Sequence, residues 1–261
     1  MQYRHLDRQQ YFNEQAASTG KFVLPYIKEE VPSLLKTKSR VLEIGCGEGG
    51  NLVSFLELGC ECYGVELNEG NYQNALKFYE NNTFKSHLHL FNNDIYKVAP
   101  QELGGTFDVI FLRDVLEHIS NQEDFMKHLK QFLSPDGVVF FAFPPWRMPF
   151  GGHQQICQNK FLSKLPYFHI LPKMIYEKIL KIGGENPKGL LEIKETGISI
   201  NRFEKIIRKE NYEVVKKTYW FINPNYEVKF GLKPRKLPKI FQIPFLQDFC
   251  ITTAYYLLKL K

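Results

Sequence analysis

The sequence predicts an α/β fold in which helices cover both faces of a doubly wound, mostly parallel sheet. Between residues 40 and 143, short apolar runs typical of buried parallel strands alternate with segments of helical periodicity. A glycine-rich turn directly follows the first apolar run. The 261 residues are 44% hydrophobic and 24% charged, a composition typical of a globular protein with a full core.

The predicted elements follow one another in a regular order up to residue 143. Strands are predicted at 40–44, 60–65, 87–91, 107–112 and 138–143. Helices are predicted at 20–35 (broken by two prolines), 52–58, 69–81 and 121–133, with a turn at 134–137 before the fifth strand. Parallel strands joined by helices require right-handed crossovers, which favours a doubly wound arrangement.

The alternation stops after the fifth strand. Residues 144–198 contain six prolines and one helical segment near 173–181, which predicts an insertion that forms a lid. A helix at 199–210 follows, with Ser199 as its N-cap. A strand at 212–222 and a last, antiparallel strand at 249–258 are predicted to complete the sheet.

Charge and cysteine usage narrow the class of protein only slightly. A net charge of +6 suits an acidic substrate, a phospholipid surface or nucleic acid, but a solvated surface is the commoner explanation. The five cysteines are odd in number and lack metal-ligand spacing, so we expect reduced thiols in a cytoplasmic protein and no metal site. The N-terminus lacks an apolar signal core, and the apolar run at 249–258 is too short to cross a bilayer.

The glycine-rich turn indicates a ligand site. Gly45, Gly47 and Gly50 satisfy the G-x-G-x-x-G pattern of Rossmann-like dinucleotide sites, in which glycines let the backbone approach a ligand closely. This pattern alone has low specificity. A nicotinamide-dependent oxidoreductase is therefore the first alternative to weigh.

Acidic residues at three strand ends favour a different ligand. Glu43 lies two residues before the first glycine, where a carboxylate suits a cationic amine better than a pyrophosphate. Glu66 ends the second strand, where it can accept hydrogen bonds from ribose hydroxyls, a feature that both readings share. Asp94 follows the third strand, in a position to hydrogen-bond an adenine amino group.

The segment from Asp114 to His118 and the turn before the fifth strand complete a pattern that includes the glycine turn and the three acids. In this pattern the chain resembles class I S-adenosylmethionine-dependent methyltransferases. The resemblance covers roughly residues 36–143 and, more weakly, 199–222. It implies S-adenosyl-L-methionine as cofactor. The positions that it carries over are Glu43, Gly45, Cys46, Gly47 and the main chain of Arg113 for the methionine end, Glu66 for the ribose, and Leu67, Asp94 and Ile95 for the adenine.

Two histidines are candidates for work on the acceptor side. His153 is the one titratable base closely following the fifth strand that suits neutral pH, so it is the candidate general base for a hydroxyl acceptor. A role in fixing the Gly151-Gly152 turn is the alternative. His118 is interpreted as scaffolding at a helix start, because histidines often satisfy local hydrogen bonds.

The lid and the C-terminal region bear on the acceptor. The lid interleaves aromatic residues with lysines, and Asp248 is the only acidic residue between Lys229 and Lys261. We therefore expect a methyltransferase acting on a small-molecule or lipid-intermediate acceptor, most often at oxygen, with peripheral membrane contact possible and nucleic acid disfavoured. A non-catalytic protein that keeps the cofactor fold is the remaining alternative.

The expected organisation is one methyltransferase domain in four parts. Residues 1–38 form an N-terminal helical cover, 39–143 the cofactor-binding core, 144–198 the substrate lid insertion, and 199–261 the C-terminal completion of the sheet.

Overall fold

The computed structural model describes residues 7–261; the first six residues of the expected N-terminal cover lie outside the described part. An eight-stranded sheet has the order β3-β2-β1-β4-β5-β8-β6-β7. Strands β1 to β5 run parallel, whereas β8, β6 and β7 pair antiparallel. The strands are β1 (Arg40–Ile44), β2 (Glu61–Glu66), β3 (Leu88–Asn92), β4 (Phe107–Arg113), β5 (Leu133–Phe143), β6 (Tyr212–Ile222), β7 (Arg235–Lys236) and β8 (Thr253–Leu260).

Nine α-helices accompany the sheet within residues 7–261. They are α1 (Arg8–Ser18), α2 (Leu24–Glu30), α3 (Val53–Leu56), α4 (Glu69–Phe78), α5 (Gln122–Leu129), α6 (Lys173–Ile182), α7 (Lys188–Thr196), α8 (Ile200–Lys209) and α9 (Asn225–Phe230). The predicted Rossmann-like α/β fold, with antiparallel strands completing a parallel sheet, is confirmed.

The core lies on both faces of the sheet because the central strands are apolar on both faces. Residues Val109 to Leu112 of β4 are all buried, with exposures of 0–1%. On one face they pack with α5 and α8, and on the other with α1, α2 and α3. A strand covered on both faces reads as a continuous apolar run, which is why β4 and β5 were predictable from composition.

Local predictions were wrong in detail at several places. The last strand, expected at 249–258, is β8 at Thr253–Leu260, and the helix expected at 121–133 ends as an α-helix at Leu129. The turn expected at 134–137 lies inside β5, at an irregularity where the pairing shifts from Phe107–Leu133 to Val109–Val138. The helix expected at 20–35 ends at Glu30, and Pro25 does not break it. Pro25 directly follows a π-helical turn at Thr19–Val23 that continues α1 into α2, and this wider turn accommodates a residue without an N–H.

The segment 144–198 packs partly on itself. It holds α6 and α7 and a small core of its own, formed by buried residues such as Leu162, Phe168, Tyr176 and Leu190. Thr196 Oγ1, at the end of α7, donates a hydrogen bond to the carbonyl of Glu117 (2.6 Å). This contact places the segment beside the end of β4. Ser199 caps α8 as predicted, since its hydroxyl accepts from the Arg202 N–H (3.2 Å).

Two further findings concern membrane crossing and thiols. No helix within residues 7–261 has both the length and the apolar character needed to traverse a bilayer. All five cysteines are free, and only Cys250 is exposed.

Candidate active site

The glycine turn after β1 is held by backbone hydrogen bonds that only its glycines accommodate without strain. Gly45 (φ +69°) and Gly47 (φ +57°) both have left-handed backbone conformations. The Gly45 N–H donates to the Val65 carbonyl (2.8 Å), which ties the turn to β2. A Cβ at Gly47 would meet nothing within 4 Å, so the backbone there faces open space. Gly50 serves packing, because a Cβ there would lie 2.5 Å from the Phe12 carbonyl of α1.

Glu66, at the end of β2, holds the turn from the opposite side. Its Oε2 accepts from the Gly47 N–H (2.7 Å), and its Oε1 accepts from the Asn68 N–H (2.7 Å). Each carboxylate oxygen keeps a further lone pair. The carboxylate is thereby fixed in one orientation while it can still accept hydrogen bonds from two neighbouring hydroxyls of a ligand.

A cavity of about 690 Å³ opens between the glycine turn and the ends of β2, β3 and β4. This volume is in the range of cofactor pockets. Seven of the nine predicted cofactor-binding residues line it: Gly45, Gly47, Glu66, Leu67, Asp94, Ile95 and Arg113. Leu67 is 72% exposed at the cavity, an apolar surface of the kind on which a planar ring packs. The cavity therefore has the groups that a nucleoside with a charged tail requires.

Glu43 and Cys46 lie behind the glycine turn and not among the lining residues. Glu43 is buried, and its Oε1 accepts from Asn51 Nδ2 (2.7 Å) while its Oε2 has no partner among the described residues. Burial raises the pKa of Glu43 to about 8. The Cys46 side chain is also buried, and only 2.7 Å would separate its Sγ from a Cβ at Gly64 of β2.

Arg113 belongs to the same buried polar layer. Its guanidinium donates to the side chains of Ser18 (2.8 Å), Thr19 (3.2 Å) and Asn51 (3.2 Å). The last of these also donates to Glu43, so one network joins β1, β4 and the end of α1. Hydrogen bonds among buried side chains hold the members of such a network in one arrangement. The side chain of Arg113 thus anchors α1 beneath the cavity.

Helix α1 contributes cavity residues that the sequence did not reveal. Arg8, Tyr11 and Gln15 line the cavity. Arg8 also forms an ion pair with Glu48 of the glycine turn, a residue with no exposed surface. No motif links positions 40 residues apart, so this contact had no signal in the sequence.

A cluster of two histidines and a glutamate lies where the cavity meets the segment after β4. His118 lines the cavity, and His153 lies behind it with the two ring centroids 5.1 Å apart. His153 has a left-handed backbone (φ +54°). Glu117 is buried, with its Oε1 4.0 Å from His153 Nε2.

Burial sets the protonation of this cluster. The His118 side chain is exposed at the cavity, yet desolvation by the surrounding protein lowers its pKa, and the nearby Asp114 carboxylate acts in the opposite direction. Burial, reinforced by the neighbouring His118 and His169, lowers the pKa of His153 to about 4. Burial also raises the pKa of Glu117 well above its usual value. Both histidines are therefore neutral near pH 7, as a general base must be.

The same three side chains have donor atoms within 4.8 Å of one another, close enough to bind one metal ion. Neither oxygen of Glu117 has a hydrogen-bond partner among the described residues, and neither has Nδ1 of His153. A cation there would require Glu117 to be ionised. The cluster therefore has two possible chemistries, proton transfer and cation binding.

The fold and this cavity define a class of protein: a Rossmann-like domain whose cavity at the carboxyl ends of the parallel strands suits a nucleoside cofactor. A family model described as a methyltransferase domain matches residues 11–164, more than half of the chain. The chain therefore belongs to the methyltransferase-domain family. The prediction of a class I fold that uses S-adenosylmethionine is confirmed for this family.

Individual relatives are distant. A ubiquinone biosynthesis O-methyltransferase from Pasteurella multocida is 29% identical over 129 residues, 46% of this chain and 51% of the relative. The match thus spans about half the length of that curated relative. The plantazolicin methyltransferase BpumL in complex with SAH and a triazolic analogue has a TM-score of 0.57 at 14% identity, covering 98% of this chain and 88% of that one. Phosphoethanolamine N-methyltransferase 2 of Haemonchus contortus, in complex with S-adenosyl-L-methionine, has a TM-score of 0.56 at 15% identity, covering 91% and 51%.

Substitution of Gly45 by alanine is expected to destabilise the protein by roughly 1–3 kcal/mol, because a Cβ there adds overpacking to backbone strain. The new Cβ would lie 2.6 Å from Val115 Cγ2. Urea unfolding measures the effect. Gly184→Ala is the matched control, since Gly184 has φ +78° with nothing within 4 Å of a new Cβ. Equal losses in the two variants would show that contact with Val115 adds nothing.

Proposed function

We propose that this protein transfers a methyl group from S-adenosylmethionine to a hydroxyl oxygen of a small, lipid-like acceptor. The observation that carries the proposal is one cavity that has Glu66 at the end of β2 and His118 after β4. Oxygen as the acceptor atom is supported by the relatives named as O-methyltransferases. Apolar residues after β4, such as Val115 and Ile119, also line the cavity, which supports an acceptor with apolar character.

On the cofactor side, residues at three strand ends would hold the ligand. Glu66 would accept hydrogen bonds from the ribose hydroxyls, and Leu67 and Ile95 would pack on the adenine. Asp94 keeps one oxygen for the adenine edge, because its Oδ1 accepts from the Tyr96 N–H (3.0 Å). The open backbone at Gly47 gives the methionine end a close approach. When bound, the cofactor supplies an electrophilic methyl group.

On the acceptor side, His118 would take the hydroxyl proton. It faces the cavity, it is neutral near pH 7, and Asp114 lies close enough to favour the imidazolium that forms. His153, the base expected from the sequence, would position the His118 ring from behind. The tilted contact between the two rings would limit the rotation of His118.

A bound divalent cation is the second candidate role for this cluster. It is favoured by the unpartnered oxygens of Glu117 and by the donor spacing. A cation would lower the pKa of a coordinated acceptor hydroxyl and so replace the base. Methyl transfer after exhaustive chelation, with and without added Mg²⁺ or Zn²⁺, separates the two roles. Full activity without metal supports proton transfer by His118.

Calorimetry and a methyl-transfer assay test the proposed function. We expect S-adenosylmethionine or its demethylated product to bind with micromolar or tighter affinity, and NADH to bind far more weakly. We expect transfer of labelled methyl to phenols that carry an alkyl chain in preference to phenols without one or to matched anilines. Comparable binding of NADH would favour the oxidoreductase alternative. Tight cofactor binding with no transfer to any hydroxyl acceptor would favour the non-catalytic alternative.

A further inference from the structure

The connection between β7 and β8 exposes a continuous set of large apolar side chains. We call residues 238–246 the apolar loop. Its exposed members are Ile240 (76%), Phe241 (57%), Ile243 (51%), Phe245 (49%) and Leu246 (54%). Scattered exposed apolar residues are ordinary, but a contiguous set of this kind marks an interaction surface.

The apolar loop is held in its conformation at both ends. Leu237 is buried before it, and its carbonyl accepts from Gln242 Nε2 (2.9 Å). Asp248 is buried after it, where its Oδ2 accepts from the Ile200 N–H (3.3 Å) and pairs with Arg147 (3.4 Å). The apolar side chains are therefore exposed on a loop whose two ends are fixed by these contacts.

Four cations lie in or beside the apolar loop along the chain, and one of them, Lys236, also interacts electrostatically with Glu29 of α2. Lys233, Arg235, Lys236 and Lys239 are all exposed, and the sequence has no acidic residue from 228 to 247. Among the described residues, no carboxylate forms an ion pair with any of these four. An apolar tip with a cationic border is complementary to the acyl and headgroup layers of an anionic bilayer.

The apolar loop leads into β8 beside the carboxyl end of β5, where the segment 144–198 (the lid) begins. Strand β8 begins beside the carboxyl end of β5, since Ala254 pairs with Phe143. The Tyr167 hydroxyl of the lid donates to the Phe249 carbonyl (3.1 Å), and Arg147 lies over the Phe245 ring, 4.3 Å from its centroid. A surface bound by the apolar loop would therefore also face the lid.

We propose that the apolar loop docks the protein on an anionic lipid bilayer. Its apolar side chains enter the interfacial region, and the four neighbouring cations contact lipid phosphates. Three of the five exposed apolar residues are aliphatic and offer no ring for stacking on bases, which favours lipid over single-stranded RNA. This docking does not depend on the proposed methyl transfer, because vesicle binding is measured without either substrate.

Vesicle flotation of the full chain tests the proposal. We expect binding to phosphatidylglycerol–phosphatidylcholine vesicles, weaker binding at high salt, and little binding to phosphatidylcholine alone. The double substitution Ile240→Ser, Phe241→Ser should weaken binding at least about tenfold through lost apolar insertion. Lys233→Gln with Lys239→Gln should also weaken it, by about fivefold per cation. Leu76→Ser is the control. Leu76 is an apolar residue, 41% exposed, on α4, which lies near the β3 edge of the sheet, opposite the β7 edge.

Unchanged binding of the Ile240→Ser, Phe241→Ser variant would overturn the proposal, provided that circular dichroism shows a folded protein. Equal weakening by Leu76→Ser would overturn it too, since the apolar loop would then have no special role. Absence of vesicle binding by the wild type, combined with salt-sensitive binding to a poly(U) oligonucleotide, would assign the cations to RNA instead. Weakened vesicle binding by the Ile240→Ser, Phe241→Ser variant and by the Lys233→Gln, Lys239→Gln variant, with binding retained by Leu76→Ser, supports lipid docking.

Discussion

Replacement of His118 by alanine is expected to lower turnover on a hydroxyl acceptor by roughly 10²–10⁴-fold, the usual contribution of a positioned general base. The side chain lies at the cavity and is neutral at pH 7, so its loss removes the group that takes the proton. Affinity for S-adenosylmethionine should change little, because Glu66 and the glycine turn remain in place. Steady-state kinetics with calorimetry on the same preparations measures both effects.

His153→Ala provides the matched comparison. If His153 positions His118, its removal should cost less turnover than removal of His118 and should leave the dependence on acceptor pKa in place. If His153 is itself the base, as the sequence suggested, the order of the two losses should be reversed. Turnover against acceptor pKa gives a second criterion, since acidic phenols need a base less than aliphatic alcohols. Flat and parallel profiles in wild type and both variants would contradict base catalysis by either histidine.

The pH profile follows from the direction of the His118 pKa shift. Desolvation lowers this pKa below the ordinary value of about 6.5. The base is therefore unprotonated above pH 6.5, and turnover should fall only as the pH drops below that value. This acid limb should be absent in His118→Ala. An acid limb centred above pH 7 in the wild type would contradict the assignment.

Replacement of Glu66 by alanine is expected to weaken cofactor binding by roughly 1.5–3 kcal/mol, or about 10- to 150-fold, as for other charge-assisted hydrogen bonds. Two causes combine. The ribose hydroxyls lose their acceptor, and the Gly47 and Asn68 N–H groups lose the oxygens that fix the turn. Calorimetric titration with S-adenosylmethionine measures the loss.

Two further variants sharpen the Glu66 experiment. Glu66→Gln keeps one oxygen acceptor, so its affinity should lie between those of wild type and Glu66→Ala. Glu69→Ala, three residues later on the exposed start of α4, should bind the cofactor as the wild type does. An unchanged dissociation constant in a folded Glu66→Ala protein would show that the end of β2 does not contact the cofactor.

The sequence predicted the parallel core of this molecule well because its determinants are local. The predicted site positions lie at the end of a short apolar strand or soon after it, and β1 to β4 begin and end within about one residue of their predicted bounds. Carboxyl ends of neighbouring parallel strands meet at one edge of a sheet, so Gly45, Glu66 and Asp94 had to converge once the strand order was known. The wrong details, at residues 134–137 and at Pro25, arose where turn composition was read without its tertiary pairing.

What the sequence by itself determined, then, is the parallel core, its glycine turn and the acids at its strand ends, since each depends on residues that are adjacent along the chain. Only the tertiary structure decided that α1 brings Arg8 to Glu48, that His118 lies at the cavity with His153 behind it, and that the apolar loop remains uncovered. The first two arrangements join residues that are 35 or more positions apart in the sequence. The third depends on which side chains no other part of the described structure covers. Strand and helix periodicities report which face of an element is apolar, but which partner covers that face is set by long-range packing.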